Sequence, residues 1–313
     1  MDVRIFIEPQ QGATYEEQAR FAVAVEQAGL DGFFRSDHFL SMGKGARAAI
    51  GPTDAWVTLG AIARETSRIR LGVLLSAATF RYPGPLAVTV AQVDAMSKGR
   101  VEFGLGAGWY EDEHIAYGIP FRTSFSERFS RLEEQLEIVT GIWSTRQGER
   151  YRFKGSYYEL EDCPCFPKPF QTKVPIIVGG KGPKRTPALA ARFADEFNLP
   201  FQSVEFAIKA FDALDRACAE CGRDPGEIVR SVALTTVIGT DRDECERRSV
   251  RIGRAFDDVR VQGLAGTPME ITERLGQYAH AGVSRVYLQL LDLEDLEQVA
   301  LIGAELAPGV SGI

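Results

Sequence analysis

Apolar and polar positions follow two different periods along this chain. Short, nearly continuous apolar runs of the kind that form buried strands alternate with longer segments in which apolar residues recur every three or four positions. This alternation is typical of βαβ units and of a parallel sheet. The apolar runs predict eight strands, at residues 3–8, 32–36, 69–76, 101–106, 175–179, 196–199, 230–238 and 285–290.

Two of the predicted helices carry clear sequence signals. The helix predicted at 124–146 has a single apolar stripe that can pack against a sheet. Another helix opens at Thr267-Pro268-Met269-Glu270, which offers a threonine N-cap, a proline at the first helical position and a glutamate at the third. The stripe of the first helix consists of Phe125, Phe129, Leu132, Leu136, Val139 and Trp143.

The number of elements and the length of the chain together predict the fold. Eight strands with helices between them in 313 residues fit a (β/α)₈ TIM barrel, an α/β fold, with insertion segments. No linker rich in Pro, Gly or Ser divides the chain, so we predict a single domain over residues 1–313. The connections at 38–53, 108–123, 147–174 and 239–266 are long. Segment 147–174 is rich in aromatic residues and has Gly155 at a turn, which predicts a hairpin or another excursion from the barrel.

Composition narrows the range of partners. The chain has 36 Lys and Arg against 43 Asp and Glu, a net charge of −7 without a basic stripe, which argues against nucleic-acid binding. No apolar run approaches the length of a transmembrane helix, and no signal sequence is recognised, so we expect a cytoplasmic protein without a membrane partner. The five cysteines are odd in number and lack the spacing of a zinc site, so we expect no metal centre and no disulfide framework.

The stretch VEFGLGAGWYEDE, at 101–113, contains three glycines in the second half of a predicted strand and just after it, Gly104, Gly106 and Gly108. A dinucleotide-binding loop would need a small residue at the position of Trp109 and a helix that opens at the loop. The residues that follow are charged, and Gly118 and Pro120 then interrupt them, so we expect no helix there. The glycines therefore either form a structural turn or let a planar ligand lie close to the end of the fourth strand.

Two other strand ends carry polar or small residues. Asp37 and His38 follow the second strand, where a histidine can serve acid–base chemistry; a capping aspartate beside a polar loop histidine is the alternative. The other histidines, His114 and His280, are expected at the surface. At the end of the third strand, the small residues Ser76-Ala77-Ala78 leave room for a ligand ring against the backbone.

The stretch IIVGGKGPKRTPAL, at 176–189, has the features of an anion site. A strand ends in two glycines, and three cations follow before a helix that is predicted to start with Thr186 as N-cap and Pro187 as its first residue. Cations, the amides of the helix N-terminus and the helix dipole then converge on one place. The stretch lacks the Walker A pattern, and a plain lysine-rich surface turn is the alternative.

At these stretches the chain resembles the luciferase-like monooxygenase family, and within it the class that uses the deazaflavin coenzyme F420. The resemblance extends over almost the whole chain, and the order and the spacing of the motifs agree. The matching segments are SDHF at 36–39, DAWVTLGAIARETSRIRLG at 54–72, GRVEFGLGAGWYEDEHIAYGIPF at 99–121, ERFSRLEEQLEI at 127–138, YYELEDCPCFPKPFQ at 157–171 and GGKGPKRT at 179–186.

The resemblance implies a barrel with extra segments that binds a flavin-like ring at the C-terminal ends of its strands. It implies a non-proline cis peptide at Ser76-Ala77 against the ring, and it places Asp37 and His38 near the reactive edge of the ring. The glycine- and lysine-rich loop would hold the cofactor phosphate, with Lys184 and Arg185 reaching the anionic tail. The implied cofactor-binding residues are Asp37, His38, Ser76, Ala77, Gly106, Ala107, Gly108, Gly179, Gly180, Lys181, Gly182, Lys184 and Arg185.

One departure from the family pattern concerns the substrate. In the branch that oxidises sugar phosphates a glutamate follows the G-x-G turn, where this chain has Trp109, so we expect no oxidation of glucose 6-phosphate. The nearby acids Glu111, Asp112 and Glu113 are expected in solvent, although one of them could reach the site. The predicted pocket residues, at strand ends and in a loop, are Glu8, Trp109, Asn198 and Gln289.

The function that the resemblance implies is hydride transfer between C5 of the deazaflavin and a small organic substrate. His38 would be the catalytic acid or base, and Asp37 would orient it or touch the cofactor. The alternatives are an FMN-dependent luciferase-like monooxygenase that uses reduced flavin and O₂, and a non-catalytic flavin- or deazaflavin-binding protein. Such proteins are commonly dimers, and the apolar helices near 54–66 and 85–97 could supply the contact of a homodimer.

Overall fold

A closed barrel of eight parallel strands forms the centre of the computed structural model, which describes residues 1–42, 53–121 and 124–313. In order around the barrel, the strands are β1 (Asp2–Ile7), β2 (Gly32–Arg35), β3 (Arg70–Ala77), β4 (Val101–Gly106), β7 (Ile176–Gly179), β8 (Glu196–Pro200), β9 (Val229–Ile238) and β11 (Arg285–Leu290). Strand β11 pairs with β1 and closes the ring. The TIM-barrel prediction is confirmed, and each predicted strand is one of these eight.

Helices cover the outside of the barrel. They are α1 (Tyr15–Gln27), α2 (Ala55–Glu65), α3 (Pro83–Ser97), α4 (Glu111–Ala116), α5 (Phe125–Ser144), α6 (Arg185–Phe193), α7 (Val204–Cys221), α8 (Arg242–Arg251), α9 (Phe256–Gln262), α10 (Pro268–His280), α11 (Leu296–Leu301) and α12 (Ala307–Val310), with a π-helical turn at Ile302–Leu306 and 3₁₀ turns at Pro9–Gln11 and Pro225–Glu227. Two predicted helix starts are confirmed. Ser124 caps α5, and Thr267 and Glu270 form the capping box of α10. Within the described residues, no helix combines the length and the apolar character that crossing a membrane requires.

Two long connections leave the barrel and form structure of their own. In segment 147–174, β5 (Tyr151–Lys154) and β6 (Glu159–Cys163) pair as the predicted antiparallel hairpin. Glu134 of α5 holds its turn, because the carboxylate accepts the backbone N–H groups of residues 156, 157 and 158. Segment 239–266 contains α8, α9 and β10 (Leu264–Gly266), which extends the sheet beside β9. Residues 43–52 of the predicted connection 38–53, and residues 122 and 123 of 108–123, lie outside the described residues.

The N-terminal end of the barrel is filled by a buried network of charges, which we call the ionic plug. Glu102 accepts hydrogen bonds from Arg4 at 2.9 Å and from Arg70 at 2.8 Å. Arg285 pairs with both Glu102 and Glu196. Above the plug, apolar side chains fill the barrel interior, and these are Phe6, Phe34, Leu74, Ile177, Ala233 and Tyr287. The C-terminal ends of the strands are the other end of the barrel, where sites of this fold are built.

Candidate active site

The glycines at the end of β4 make room for the neighbouring strand. A Cβ atom on Gly104 would lie 2.1 Å from the carbonyl oxygen of Val73, and one on Gly106 would lie 3.1 Å from Cδ1 of Leu75. Gly108 has a φ of +77° and lies beside Thr79. Packing against β3 is therefore sufficient reason for glycine at positions 104 and 106. Contact between a ligand and the backbone of residues 106–108 stays a prediction.

The non-proline cis peptide is present, but at Leu74–Leu75, so the prediction of Ser76–Ala77 is wrong. The register between β3 and β4 shifts between Val73 and Ser76, and glycines on β4 and β7 leave space for the Leu75 side chain. Ser76 is fully buried, and its hydroxyl accepts a hydrogen bond from Nε1 of Trp56 in α2 at 3.0 Å. The Ser76 side chain thus faces the helix layer and not the barrel interior.

A short helix follows the glycine turn, contrary to the expectation that none would open there. Helix α4 has three acids in its first turn, which favours a helix N-terminus, and it ends before Gly118. His114 on this helix is fully buried, so the expectation of a surface position is wrong. Its Nδ1 donates to the carbonyl of Tyr110 at 2.6 Å, and its Nε2 lies 2.7 Å from the hydroxyl of Thr79. His114 therefore pins α4 to the β3–α3 loop, whereas His280 is exposed as predicted.

His38 is bound to an acid that the sequence did not single out for it. Both carboxylate oxygens of Glu113 lie near His38 Nδ1, at 3.0 and 3.2 Å, and one of them also accepts the backbone N–H of Phe39 at 2.9 Å. Glu113 is only 2% exposed, so the expectation that this acid lies in solvent is wrong. Glu111 and Asp112 are exposed, as expected. Because a carboxylate only accepts, Nδ1 donates, and Nε2 is the ring nitrogen that can face a substrate.

Asp37 has a different partner from the one expected. Its carboxylate pairs with both terminal nitrogens of Arg81, which also binds Asp54, the N-cap of α2, at 2.6 Å. These two carboxylates raise the pKa of Arg81 against the effect of its burial. The structure shows no hydrogen bond between Asp37 and His38, so Glu113, and not Asp37, orients the imidazole.

Polar side chains at the ends of β1, β9 and β11 form a chain of hydrogen bonds across the barrel mouth. Thr235 donates to Gln289 at 2.6 Å, and Gln289 donates to Glu8 at 2.9 Å. Glu8 also accepts from Gln10, whose amide oxygen accepts from the Ser36 hydroxyl at 2.6 Å. The structure therefore brings together two of the predicted pocket residues, Glu8 and Gln289, and adds three residues that sequence reasoning did not identify.

The other two predicted pocket residues lie apart from this chain. Asn198, on β8, is buried and donates a hydrogen bond at 2.8 Å to the hydroxyl of Ser231 on the neighbouring strand β9. Trp109 is 63% exposed and stacks on Tyr110, and its ring meets the His38 ring edge-on at 5.7 Å between centroids. Trp109 thus lies beside the imidazole, at the solvent side of the mouth.

Burial and charge act in opposite directions on His38. Burial alone would lower the pKa of His38, because it penalises the charged imidazolium. The hydrogen bond to Glu113 and the negative charges of Glu8, Glu113 and Asp37 outweigh this effect, so the pKa of His38 lies above its ordinary value. The surroundings of His38 therefore favour the imidazolium.

Residues 179–186, which we call the anion loop, follow β7 at the same end of the barrel. Gly180 has a φ of +139°, and a Cβ atom on Gly182 would lie 2.6 Å from the Thr186 hydroxyl. That hydroxyl is buried and makes no hydrogen bond to any described residue. Lys181 and Lys184 are exposed. A glycine cradle, an unpaired buried hydroxyl and two free-standing cations at a helix N-terminus fit a phosphate group.

Two details of the anion loop differ from the sequence prediction. Helix α6 begins at Arg185 with Lys184 as its N-cap residue, so Thr186 and Pro187 lie inside the first turn and not at the helix start. Arg185 reaches α5, where it donates to the carbonyl of Ser126 at 2.8 Å and to the Ser130 hydroxyl at 3.1 Å. Because a proline is tolerated throughout the first turn of a helix, Pro187 shows that a helix starts nearby but does not identify its first residue.

Comparisons with known proteins agree with this architecture. The model of a family described as luciferase-like monooxygenase matches residues 1–305. The chain is 34% identical over 227 residues to the F420-dependent glucose-6-phosphate dehydrogenase of Microbacterium testaceum, covering 71% of this chain and 64% of the relative. It is 30% identical over 290 residues to the enzyme of the same name from Kineococcus radiotolerans, covering 90% and 77%. The chain thus spans less than two thirds of the length of the first of these curated relatives.

A solved structure shows the same fold. The F420-dependent secondary alcohol dehydrogenase in complex with an F420-acetone adduct superposes with a TM-score of 0.84 over 99% of this chain and 98% of that chain. The two sequences are 19% identical, so the likeness concerns the fold alone.

Proposed function

The chain belongs to the luciferase-like monooxygenase family, and from this premise we propose that it is an F420-dependent oxidoreductase that transfers a hydride between C5 of the deazaflavin and a small organic substrate. The observation that carries the proposal is that the anion loop and His38 both follow C-terminal ends of strands of one parallel barrel. A phosphate-bearing cofactor held by the loop and an acid–base group therefore stand at the same mouth. The names of the two dehydrogenase relatives and of the structural neighbour support F420 as that cofactor.

The residues of the anion loop would hold the phosphate of the cofactor. Gly180 and Gly182 leave the backbone open, the Thr186 hydroxyl can donate to a phosphate oxygen, and Lys181 and Lys184 supply positive charge. A bound deazaflavin supplies or accepts a hydride at C5.

His38 donates or accepts the proton that accompanies the hydride. When a carbonyl group is reduced, its carbon receives the hydride, and its oxygen receives the proton from Nε2 of the imidazolium, which becomes neutral. In the reverse direction, neutral Nε2 takes the proton of the alcohol. Glu113 keeps the ring in place through Nδ1 in both directions.

Two features bear on the substrate. Trp109 occupies the position at which the branch of the family that oxidises sugar phosphates has a glutamate. We therefore propose a substrate other than glucose 6-phosphate, although the relatives are named for that substrate. The exposed ring of Trp109 and the hydrogen-bonded Glu8–Gln289 pair instead offer one apolar surface and one polar surface beside His38. Such a mouth suits a small molecule with one carbonyl or hydroxyl group.

The second candidate function, which the family name suggests, is that of an FMN-dependent monooxygenase that uses reduced flavin and O₂. A single experiment separates the functions. Purified protein is mixed without oxygen with reduced F420 and a panel of ketones, imines and enones, and in a parallel reaction with reduced FMN, the same panel and O₂. We expect substrate-dependent oxidation of reduced F420 only. Oxygenated product from the FMN reaction would favour the monooxygenase, and F420 binding without turnover on any compound would favour a non-catalytic binding protein.

A further inference from the structure

The contact between His38 and Glu113 joins two segments that are far apart in the sequence. Glu113 lies 75 positions from His38 in the chain, yet it touches both the imidazole and the backbone N–H of the next residue, Phe39. It reaches them from α4, which the buried His114 fixes to the β3–α3 loop. The contact is therefore a built feature of the mouth and not a chance meeting of two surface side chains.

Three described carboxylates act on His38, and the buried Arg35 interacts with two of them, Glu8 and Asp37. Glu8 approaches from the end of β1, Asp37 belongs to its own segment, and Glu113 approaches from α4. Arg81 already neutralises Asp37, and Tyr110 presents an aromatic ring 6.2 Å from the imidazole centroid. Neither Glu8 nor Glu113 forms a salt bridge with a described lysine or arginine, and both stabilise the protonated form of His38.

Resting on the proposed function, we propose that Glu113 is a positioning residue that keeps His38 as an imidazolium, so that the site is set to reduce its substrate. The imidazolium gives the Nε2 proton to the substrate as the hydride arrives, and the Nδ1–H bond to Glu113 persists when the ring becomes neutral. Oxidation of an alcohol would need neutral Nε2 as a base, the form that the neighbouring carboxylates disfavour. The same residues therefore make reduction the faster direction.

The protonation state of His38 can be measured directly, because the chain has only three histidines. The apo-protein, labelled with ¹³C and ¹⁵N at histidine, is titrated by NMR, and the His38 signal is assigned by its loss in His38→Asn. We expect the wild-type signal to titrate above the ordinary value of about 6.5, with both ring nitrogens protonated below the midpoint. In Glu113→Gln the His38 midpoint falls, and in the matched control Asp112→Asn, an exposed neighbour on the same helix, it stays in place.

A His38 midpoint at or below the ordinary value in the wild type would overturn the proposal, as would an unchanged midpoint in folded Glu113→Gln. Because the wild-type titration alone decides the first point, failure of the variant to fold leaves the proposal testable. The proposal also predicts that the loss of reductive kcat at high pH begins at a lower pH in Glu113→Gln than in Asp112→Asn. The NMR readout needs no cofactor, so its failure is distinct from a failure to bind F420, which would count against the proposed function instead.

Discussion

His38 is the residue on which the proposed chemistry depends, because its Nε2 is the ring nitrogen that Glu113 leaves for a substrate. In His38→Ala we expect kcat for reduction to fall by about 10²- to 10⁴-fold, the usual contribution of a general acid, while the Kd for F420 changes little. His280→Ala, which removes an exposed histidine from the end of α10, is the control and should keep full activity. Steady-state kinetics with a reducible substrate and a fluorescence titration of F420 measure the two quantities, and unchanged turnover in His38→Ala would remove this residue from the mechanism.

Thr186 provides the matching test for the cofactor. Its buried hydroxyl has no described partner, and a phosphate in the anion loop would supply one. Thr186→Val keeps the shape but removes the donor, so we expect F420 affinity to fall about tenfold, the value of one hydrogen bond to a charged group. Lys209→Ala on α7, which removes an exposed lysine far along the chain from the loop, is the control for a general loss of positive charge. Equal F420 affinity in Thr186→Val and the wild type would mean that the phosphate binds elsewhere.

Sequence reasoning found His38 and the anion loop but missed the partners of both. Glu113 contacts His38 only because α4 forms and His114 is buried, and both were predicted otherwise from a segment rich in charges. Three consecutive acids are typical of the first turn of a helix, and this signal could have placed Glu113 on α4. It could not have shown that Glu113 faces inward while Glu111 and Asp112 face solvent. The pairing of Asp37 with Arg81 depends on a tertiary contact for which the sequence contains no local signal.

At the scale of elements, the contact between β3 and β4 explains the glycine motif. Gly104 faces the Val73 carbonyl so closely that any side chain would displace β3. We expect Gly104→Ala to lower the free energy of unfolding by about 3 kcal/mol, at the upper end for overpacking. Gly276→Ala, in α10 with nothing near its missing Cβ, should instead raise it by about 0.5–1 kcal/mol. Urea denaturation checks both, and equal stability of the two variants would contradict this explanation of the motif.

The sequence identified elements better where periodicity extends over many residues than where a few residues decide. The eight barrel strands follow directly from the pattern, and so does most of the apolar stripe of α5, in which Phe129, Leu132, Leu136 and Val139 are buried. Phe125, at the start of the predicted stripe, is exposed instead. The start of α6, the short helix α4 and the three-residue strand β10 depend on single caps or on tertiary pairing, and these were misplaced or missed. The cis peptide was expected in the right strand but two residues too late, because small residues marked the expected place, whereas the bond lies at Leu74–Leu75, where glycines of β4 and β7 face the Leu75 side chain.

At the scale of the whole molecule, the ionic plug makes the stability of the barrel depend on pH. Burial would raise the pKa of Glu102, but Arg4, Arg285 and Arg70 hold it below its usual range. Glu102 therefore contributes stability above its unfolded-state pKa, and this contribution is lost as the pH falls through the lowered value. We expect Glu102→Gln to cost about 3 kcal/mol at pH 7, because it leaves buried arginines without their counter-charge.

The difference in stability between the wild type and Glu102→Gln should narrow as the pH is lowered, since the wild type loses the same charge by protonation. Glu196 behaves in the opposite sense, because burial raises its pKa, so Glu196→Gln should cost less at pH 7. Thermal unfolding of the three proteins between acid and neutral pH tests this. A gap between Glu102→Gln and the wild type that stays constant with pH would contradict the role of the plug.

We propose that the molecule is a homodimer through α2 and α3. Val57 on α2 is 74% exposed, and Tyr82 next to α3 is 75% exposed, so the two neighbouring helices present apolar surface. Light scattering should give a mass close to twice 34.5 kDa, and Val57→Asp should reduce it toward that of one chain. Val261→Asp, at an equally exposed valine on α9, is the matched control and should leave the mass unchanged. A single-chain mass for the wild type would overturn this proposal.

If this barrel holds a deazaflavin for hydride transfer, as we propose, it must bind F420 in preference to FMN, and a comparison of the two affinities tests this. Purified apo-protein is titrated with coenzyme F420 and with FMN under identical conditions, and the fluorescence of each ligand is followed. We expect micromolar or tighter binding of F420 (a Kd of about 1 μM is about −8 kcal/mol) and much weaker binding of FMN, with Thr186→Val weakening the binding of F420. A preference for FMN, or binding of neither ligand, would contradict it.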